Sequence, residues 1–188
     1  MKTKSVATTL SLLAALLFAL SLAVACGDDD GGGEPTGSSD PAALSEYFTD
    51  LQRIFEDADE ATAEAEATLN ETSADATLDV QISARATYLA EIDAIFNEAI
   101  RQLDDLDVPP AAEEHHQDFI DGVSASVAAG EDLRNDLTDI TTDEELDAHL
   151  SEYDSAIDAA VDKTAAACRG LQEVADTENV DIDLNCEA

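Results

Sequence analysis

Apolar side chains recur every three or four positions along most of this chain, and that spacing predicts helices that pack through one face. The first stripe is Leu44, Phe48, Leu51, Phe55, Ala58, Ala65 and Leu69, with Tyr47 and Ile54 alongside. Asp40 stands in the N-cap position and Pro41 follows it, where a missing N–H costs nothing. A second stripe runs through Ile82, Ala86, Leu89, Ile92, Phe96, Ile100, Leu103 and Leu106. Pro109-Pro110 stops that helix and starts the next. The third stripe holds Phe119, Ile120, Val123, Val127, Leu133, Leu137 and Ile140. Thr142-Asp143-Glu144-Glu145 has the form of a capping box, and the fourth stripe runs from Leu146 through Tyr153 and Ile157 to Cys168, Leu171 and Val174.

The pattern predicts four helices of about 28 to 34 residues, each ~42–50 Å long at the usual rise. Two of the connections are short, which favours antiparallel neighbours. The first connection is placed around Asn70–Asp79. The expected fold is all-α: an antiparallel up-down-up-down four-helix bundle over residues 41–188. That topology makes Asn70–Asp79, with Asp139–Asp143, the tip where a partner is expected.

The last residues change period. Val180, Ile182, Leu184 and Cys186 alternate with Asp181, Asp183 and Asn185, which is the signature of an extended strip with one apolar face. If the fourth helix ends near Thr177, Cys168 lies roughly 14 Å back along it. The residues after Thr177 span that distance easily when extended. The tail is therefore expected to fold back along the bundle and join Cys186 to Cys168. Such a loop closure contributes about 3 kcal/mol in the chain-entropy account. The alternative is a pair of buried free thiols.

Charge narrows the function. Eight Lys and Arg stand against 44 Asp and Glu, a net −36 over 188 residues. Nucleic-acid partners need a basic surface and are excluded on this ground. Glu56, Glu60 and Glu64 repeat at i, i+4, i+8, as do Asp154, Asp158 and Asp162. Like charges at that spacing repel by a few tenths of a kcal/mol per pair. They read as solvated faces that keep the chain soluble, with loosely bound cations or a basic partner as alternatives.

The first 25 residues have the layout of a secretion signal. Lys2 and Lys4 precede an apolar run from Leu10 to Ala25, and Ala23-Val24-Ala25 leads into Cys26. These 26 positions resemble a bacterial lipoprotein signal, in which the peptidase cuts before a cysteine that then carries lipid. Ala23 departs from the Leu most common at its place in that family, and Ala23-Val24-Ala25 also fits an ordinary signal-peptidase site. With Cys26 acylated, Cys168 and Cys186 remain as an even pair; plain secretion leaves an odd thiol in an oxidising compartment. An uncleaved membrane span is a third reading, but the apolar run is shorter than the ~20 residues a span needs.

The resemblance implies lipidation of Cys26 by fatty acyl chains such as palmitate, and a membrane as partner. It also implies an extracytoplasmic location on the cell membrane or outer membrane, Gly27 standing where an inner-membrane retention Asp would be. Residues 26–40, rich in Gly, Ser and acids, form a flexible tether. The body weakly resembles four-helix lipoproteins of the bacterial envelope.

Catalytic strings such as G-x-S-x-G, Walker A or H-E-x-x-H do not occur in the chain. Glu113 and His116 form one Glu-x-x-His step of the kind di-iron bundles use twice. Glu113, His115, His116 and Asp118 are therefore metal-ligand candidates, against the simpler reading that His116 caps the bundle end. His149 belongs to the other end. The expected function is non-enzymatic, without a cofactor: a tethered binding or interaction module for a protein or small molecule. The alternative is an envelope metal- or cation-binding scavenger or buffer.

Overall fold

A computed structural model describes residues 40–74 and 76–186. The expected signal peptide, Cys26 and the tether as far as residue 39 lie outside the described residues. Within them the chain forms four long α-helices and no strand: α1 (Pro41–Ser73), α2 (Leu78–Asp104), α3 (Glu113–Asp136) and α4 (Asp143–Thr177). A short 3₁₀ turn, Leu137–Asp139, leads from α3 toward α4.

Local chemistry sets most of the boundaries. The Asp40 carboxylate accepts the Ala42 N–H at 3.0 Å and Pro41 opens α1. Thr142 caps α4 by accepting the Glu145 N–H at 3.2 Å, and Glu145 accepts the Thr142 N–H in return at 3.1 Å. These reciprocal bonds satisfy donors that a helix start otherwise leaves open. α4 ends at Thr177, where Asn179 turns the chain with φ at 57°.

Four boundaries differ from expectation. The loop expected over Asn70–Asp79 shrinks, because α1 continues to Ser73 and α2 starts at Leu78. Thr72 and Ser73, expected in the connection, donate their hydroxyls to the carbonyls of Thr68 and Leu69 and so stay inside the helix. α3 begins at Glu113 instead of at the proline pair, since a tight turn bonds the Ala112 N–H to the Pro109 carbonyl at 2.8 Å. The same helix stops at Asp136, short of Ile140, where the 3₁₀ turn buries Leu137. The helices therefore span 33, 27, 24 and 35 residues, a wider range than the pattern implied.

The buried side chains form two clusters. One joins Leu44, Phe48 and Leu51 of α1 to Leu103 of α2, Phe119 of α3 and Leu171 of α4, and includes Leu184 and Cys186 of the tail. The other joins Leu69 of α1 to Tyr88 and Leu89 of α2, Leu133 of α3 and Leu150, Tyr153 and Ile157 of α4. α3 and α4 approach closely at two glycines. A Cβ on Gly122 would lie 2.9 Å from the Thr164 backbone nitrogen, and one on Gly170 would enter the His115 ring.

The tail runs back along α4 but is not extended throughout as expected: the Ile182 N–H bonds the Val180 carbonyl at 3.0 Å, and Asn185 turns the chain with φ at 49°. Cys168 and Cys186 are disulfide-bonded, with Cα atoms 5.4 Å apart. Gln172, one turn beyond Cys168, clamps the strip on both sides of its side-chain amide. Its Nε2 donates to the Ile182 carbonyl at 3.0 Å, and its Oε1 accepts the Leu184 N–H at 2.8 Å. An amide used this way replaces a strand partner for backbone groups that would otherwise be left open.

Candidate functional site

Along the first cluster, and reaching Phe96 and Val161 of the second, the bundle holds a cavity of about 130 Å³ lined by all four helices and the tail. α1 contributes Ile54, Phe55, Ala58, Asp59 and Thr62, positions that share one helix face. α2 contributes Phe96, Ala99 and Leu103, and α3 contributes Phe119, Val123 and Ser126. Val161, Thr164 and Cys168 of α4 close the wall with Leu184 and Asn185 of the tail. The space exists because Ala58, Ala99 and Ser126 are small where bulkier side chains would meet. Phe55 and Phe119 stack directly on each other in its wall, with ring centres 4.7 Å apart and planes inclined by 22°.

The polar groups in this wall are few. Thr164 donates its hydroxyl to the Ala160 carbonyl at 3.0 Å, and Ser126 donates to the Gly122 carbonyl at 3.5 Å. Asp59 and Thr62 have no such partner among the described residues, and no ion pair reaches Asp59. Thr62 is only 5% exposed and Asp59 is half-buried. Burial raises the Asp59 carboxyl above its ordinary pKa. The site thus offers an apolar chamber, aromatic faces, one carboxylate and a hydroxyl, a set suited to holding a small molecule.

The candidates near the start of α3 point different ways. His116 is buried and its Nδ1 lies 3.0 Å from the Tyr47 hydroxyl. Burial lowers its pKa, with Asp104 and a hydrogen bond from the imidazole to the Leu103 backbone carbonyl opposing that shift. His115 packs over Gly170, while Glu113 and Asp118 are exposed. His149 faces Asp136 instead, at 3.4 Å. Among the described residues, no group of three or more His, Cys, Asp or Glu side chains is placed to hold a metal ion.

A buried ion pair escaped the sequence reading. Asp93 of α2, 6% exposed, pairs through Oδ2 with Arg134 of α3. Its other oxygen has no hydrogen-bond partner and would stand 3.1 Å from a Cβ on Gly130. The missing signal was available: Asp93 sits four residues after Leu89 and three before Phe96, squarely on the apolar line. Gly130 on the facing helix made room for it.

Of the acidic ladders, Glu56, Glu60 and Glu64 are exposed along α1. Asp154 departs from its ladder: it is half-buried, and burial together with Asp158 raises its pKa. Beside the 74–77 connection, α1 and α2 also border a more polar groove of about 280 Å³ that includes Thr72, Asp79 and Tyr88. No described helix is long and apolar enough to cross a membrane. Compared with known proteins, the chain matches no family model, no curated protein and no solved structure.

Proposed function

We propose that this chain is a lipid-anchored extracytoplasmic lipoprotein whose helical body is a non-enzymatic binding module for a small molecule. The observation that carries the binding role is the cavity bounded by every helix and by the disulfide-pinned tail. A chamber assembled from five chain segments holds its shape only while the whole body is folded, which suits preorganised binding. The anchor rests on the signal-like first 25 residues, on Cys26 and on the even cysteine pair that remains.

The same reading includes an up-down-up-down course with antiparallel neighbours. Two side-chain contacts between α3 and α4 support it: the Asp121–Lys163 ion pair, and Asp136 beside His149. Advancing along α3 corresponds to retreating along α4. On α1 and α2, Leu44 clusters with Leu103 while Leu69 clusters with Ala84, again in opposite order.

Mass spectrometry of the chain isolated from native membranes tests both parts of the role. A mature N-terminal Cys26 carrying acyl chains, with a co-purifying small molecule released on denaturation, is the expected result. An unmodified Cys26 in the membrane-free fraction would overturn the anchor. A broad fragment set that leaves the cavity-lining methyl resonances unmoved would overturn the binding role.

A further inference from the structure

The geometry points to a specific ligand class for the central cavity: a small hydrocarbon body, about one six-membered ring in size, bearing a single protonated amine. This rests on the reading of that cavity as a binding site. Size comes first. An apolar cavity of ~150 Å³ accommodates benzene, and this one, at about 130 Å³, accepts a body of that order. The rings of Phe55, Phe96 and Phe119 line the space and give such a body apolar contact.

Charge decides the polar end. Asp59 and Thr62 lie three residues apart on α1, so both side chains reach the same stretch of wall. Asp59 has no cationic partner among the described residues, and the lining contains no Lys, Arg or His. An ammonium group can donate to the Asp59 carboxylate and to the Thr62 hydroxyl oxygen together, satisfying two groups the fold leaves without bonds. Asp59 is half-buried, so its end of the cavity communicates with solvent and the charged end need not be fully dehydrated. The desolvation that raises the Asp59 carboxyl is the condition under which an opposite charge nearby is worth most. A net charge of −36 attracts cations and repels anions over the whole surface, favouring the same ligand sign.

Three probes of one shape separate the contributions: benzylamine as the cation, toluene as the neutral body and benzoate as the anion. Binding to the full-length chain is read from the methyl resonances of Leu103, Val161 and Leu184 at constant salt. Benzylamine is expected to bind at least tenfold more tightly than toluene or benzoate. Asp59→Asn should bring benzylamine down to the toluene level while leaving toluene unchanged. Val123→Phe, which fills the chamber, should abolish both, and Ala58→Leu serves the same purpose if circular dichroism shows the first variant to be misfolded. Equal binding of benzylamine and toluene, or an amine preference that survives Asp59→Asn, overturns the ligand class but leaves the cavity as a binding site. A preference that survives filling assigns the amine to the acidic surface and also overturns the proposal. Failure of all three probes to move the methyls overturns the proposal and counts against the binding role beneath it.

Discussion

The two core clusters have similar hydrophobic stripes and very different polar interiors. In the cluster around Leu44, Phe48 and Leu171, each of these side chains is completely inaccessible to solvent. Its buried polar pair, Tyr47 and His116, is hydrogen-bonded, and a disulfide and the Gln172 clamp seal its tail. The cluster around Leu89, Leu133 and Tyr153 contains or adjoins Glu66, Arg85 and Asp93. Each of these has a buried polar atom without a hydrogen-bond partner, and they are the only such atoms among the described side chains. A buried polar group left unsatisfied costs roughly 1–3 kcal/mol. Equal hydrophobic periodicity therefore does not mean equal local stability: the first half supplies most of the cavity lining, yet its polar pair is bonded and its tail is pinned, so the polar half is expected to open first.

The largest expected effect sharpens this contrast from the firm side. Phe48→Ala should lower unfolding free energy by about 3–5 kcal/mol. Leu150→Ala, in the polar half and 8% exposed, should cost less, nearer ~2–3 kcal/mol. Urea denaturation of both variants checks the ranking, and a reversed order would break the comparison. Next comes the disulfide. Its two cysteines are 18 residues apart, and replacing both with Ala should cost about 3 kcal/mol by loop entropy. Proteolysis should then cut the tail well before it cuts the helices.

Gly122→Ala should have a smaller effect, a loss of about 1–3 kcal/mol from overpacking, measured by thermal melting. Its Cβ would meet backbone atoms of Thr164, which cannot swing aside as a side-chain tip can. At Gly130 the neighbour is the Asp93 carboxylate at 3.1 Å, and the ~1 kcal/mol gain in helix propensity partly offsets that contact. Gly130→Ala should therefore cost less than Gly122→Ala.

The smallest effect separates the halves by the sign of their pH dependence. Burial lowers the His116 pKa, so the unfolded chain binds its proton more readily. Stability from this group is present above the ordinary value of about 6.5 and is lost as pH falls from there through the folded-state pKa. Burial raises the Glu66 carboxyl, with Asp59 adding to the shift, and burial likewise raises Asp93 against the pull of Arg134. For these the folded chain binds the proton more readily, so stability grows as pH falls through their raised values toward about 4. Melting temperatures across pH 4–8 test both signs. His116→Asn should remove the loss below neutrality, and Glu66→Gln should remove the gain at acid pH. The same slope in both variants would contradict the division.

Much of the fold was legible because it follows from local rules. The stripes placed the cores, Thr142 and Glu145 marked the start of α4, and the period after Thr177 identified the returning tail and its cysteine partner, though not its turns at Ile182 and Asn185. The short break between α1 and α2 was hidden because Thr72 and Ser73 read as loop residues, yet in α1 their hydroxyls bond back to the preceding turn. Gln172 was passed over because a lone helical Gln has no local signature; its role appears only when the tail is alongside. The cavity was the least legible feature. Ala58 and Ala99 look like good helix formers in one dimension, and only their meeting across α1 and α2 leaves space. Asp59 likewise read as one more surface acid in a chain that has 44.

Native-state hydrogen exchange, followed residue by residue, tests the uneven bundle most directly. The account predicts the slowest amides at Leu51–Ile54 and Ala167–Leu171, with exchange faster by tenfold or more around Ala65–Leu69 and Ala84–Leu89. Uniform protection along all four helices, or slower exchange in the second set, would contradict it.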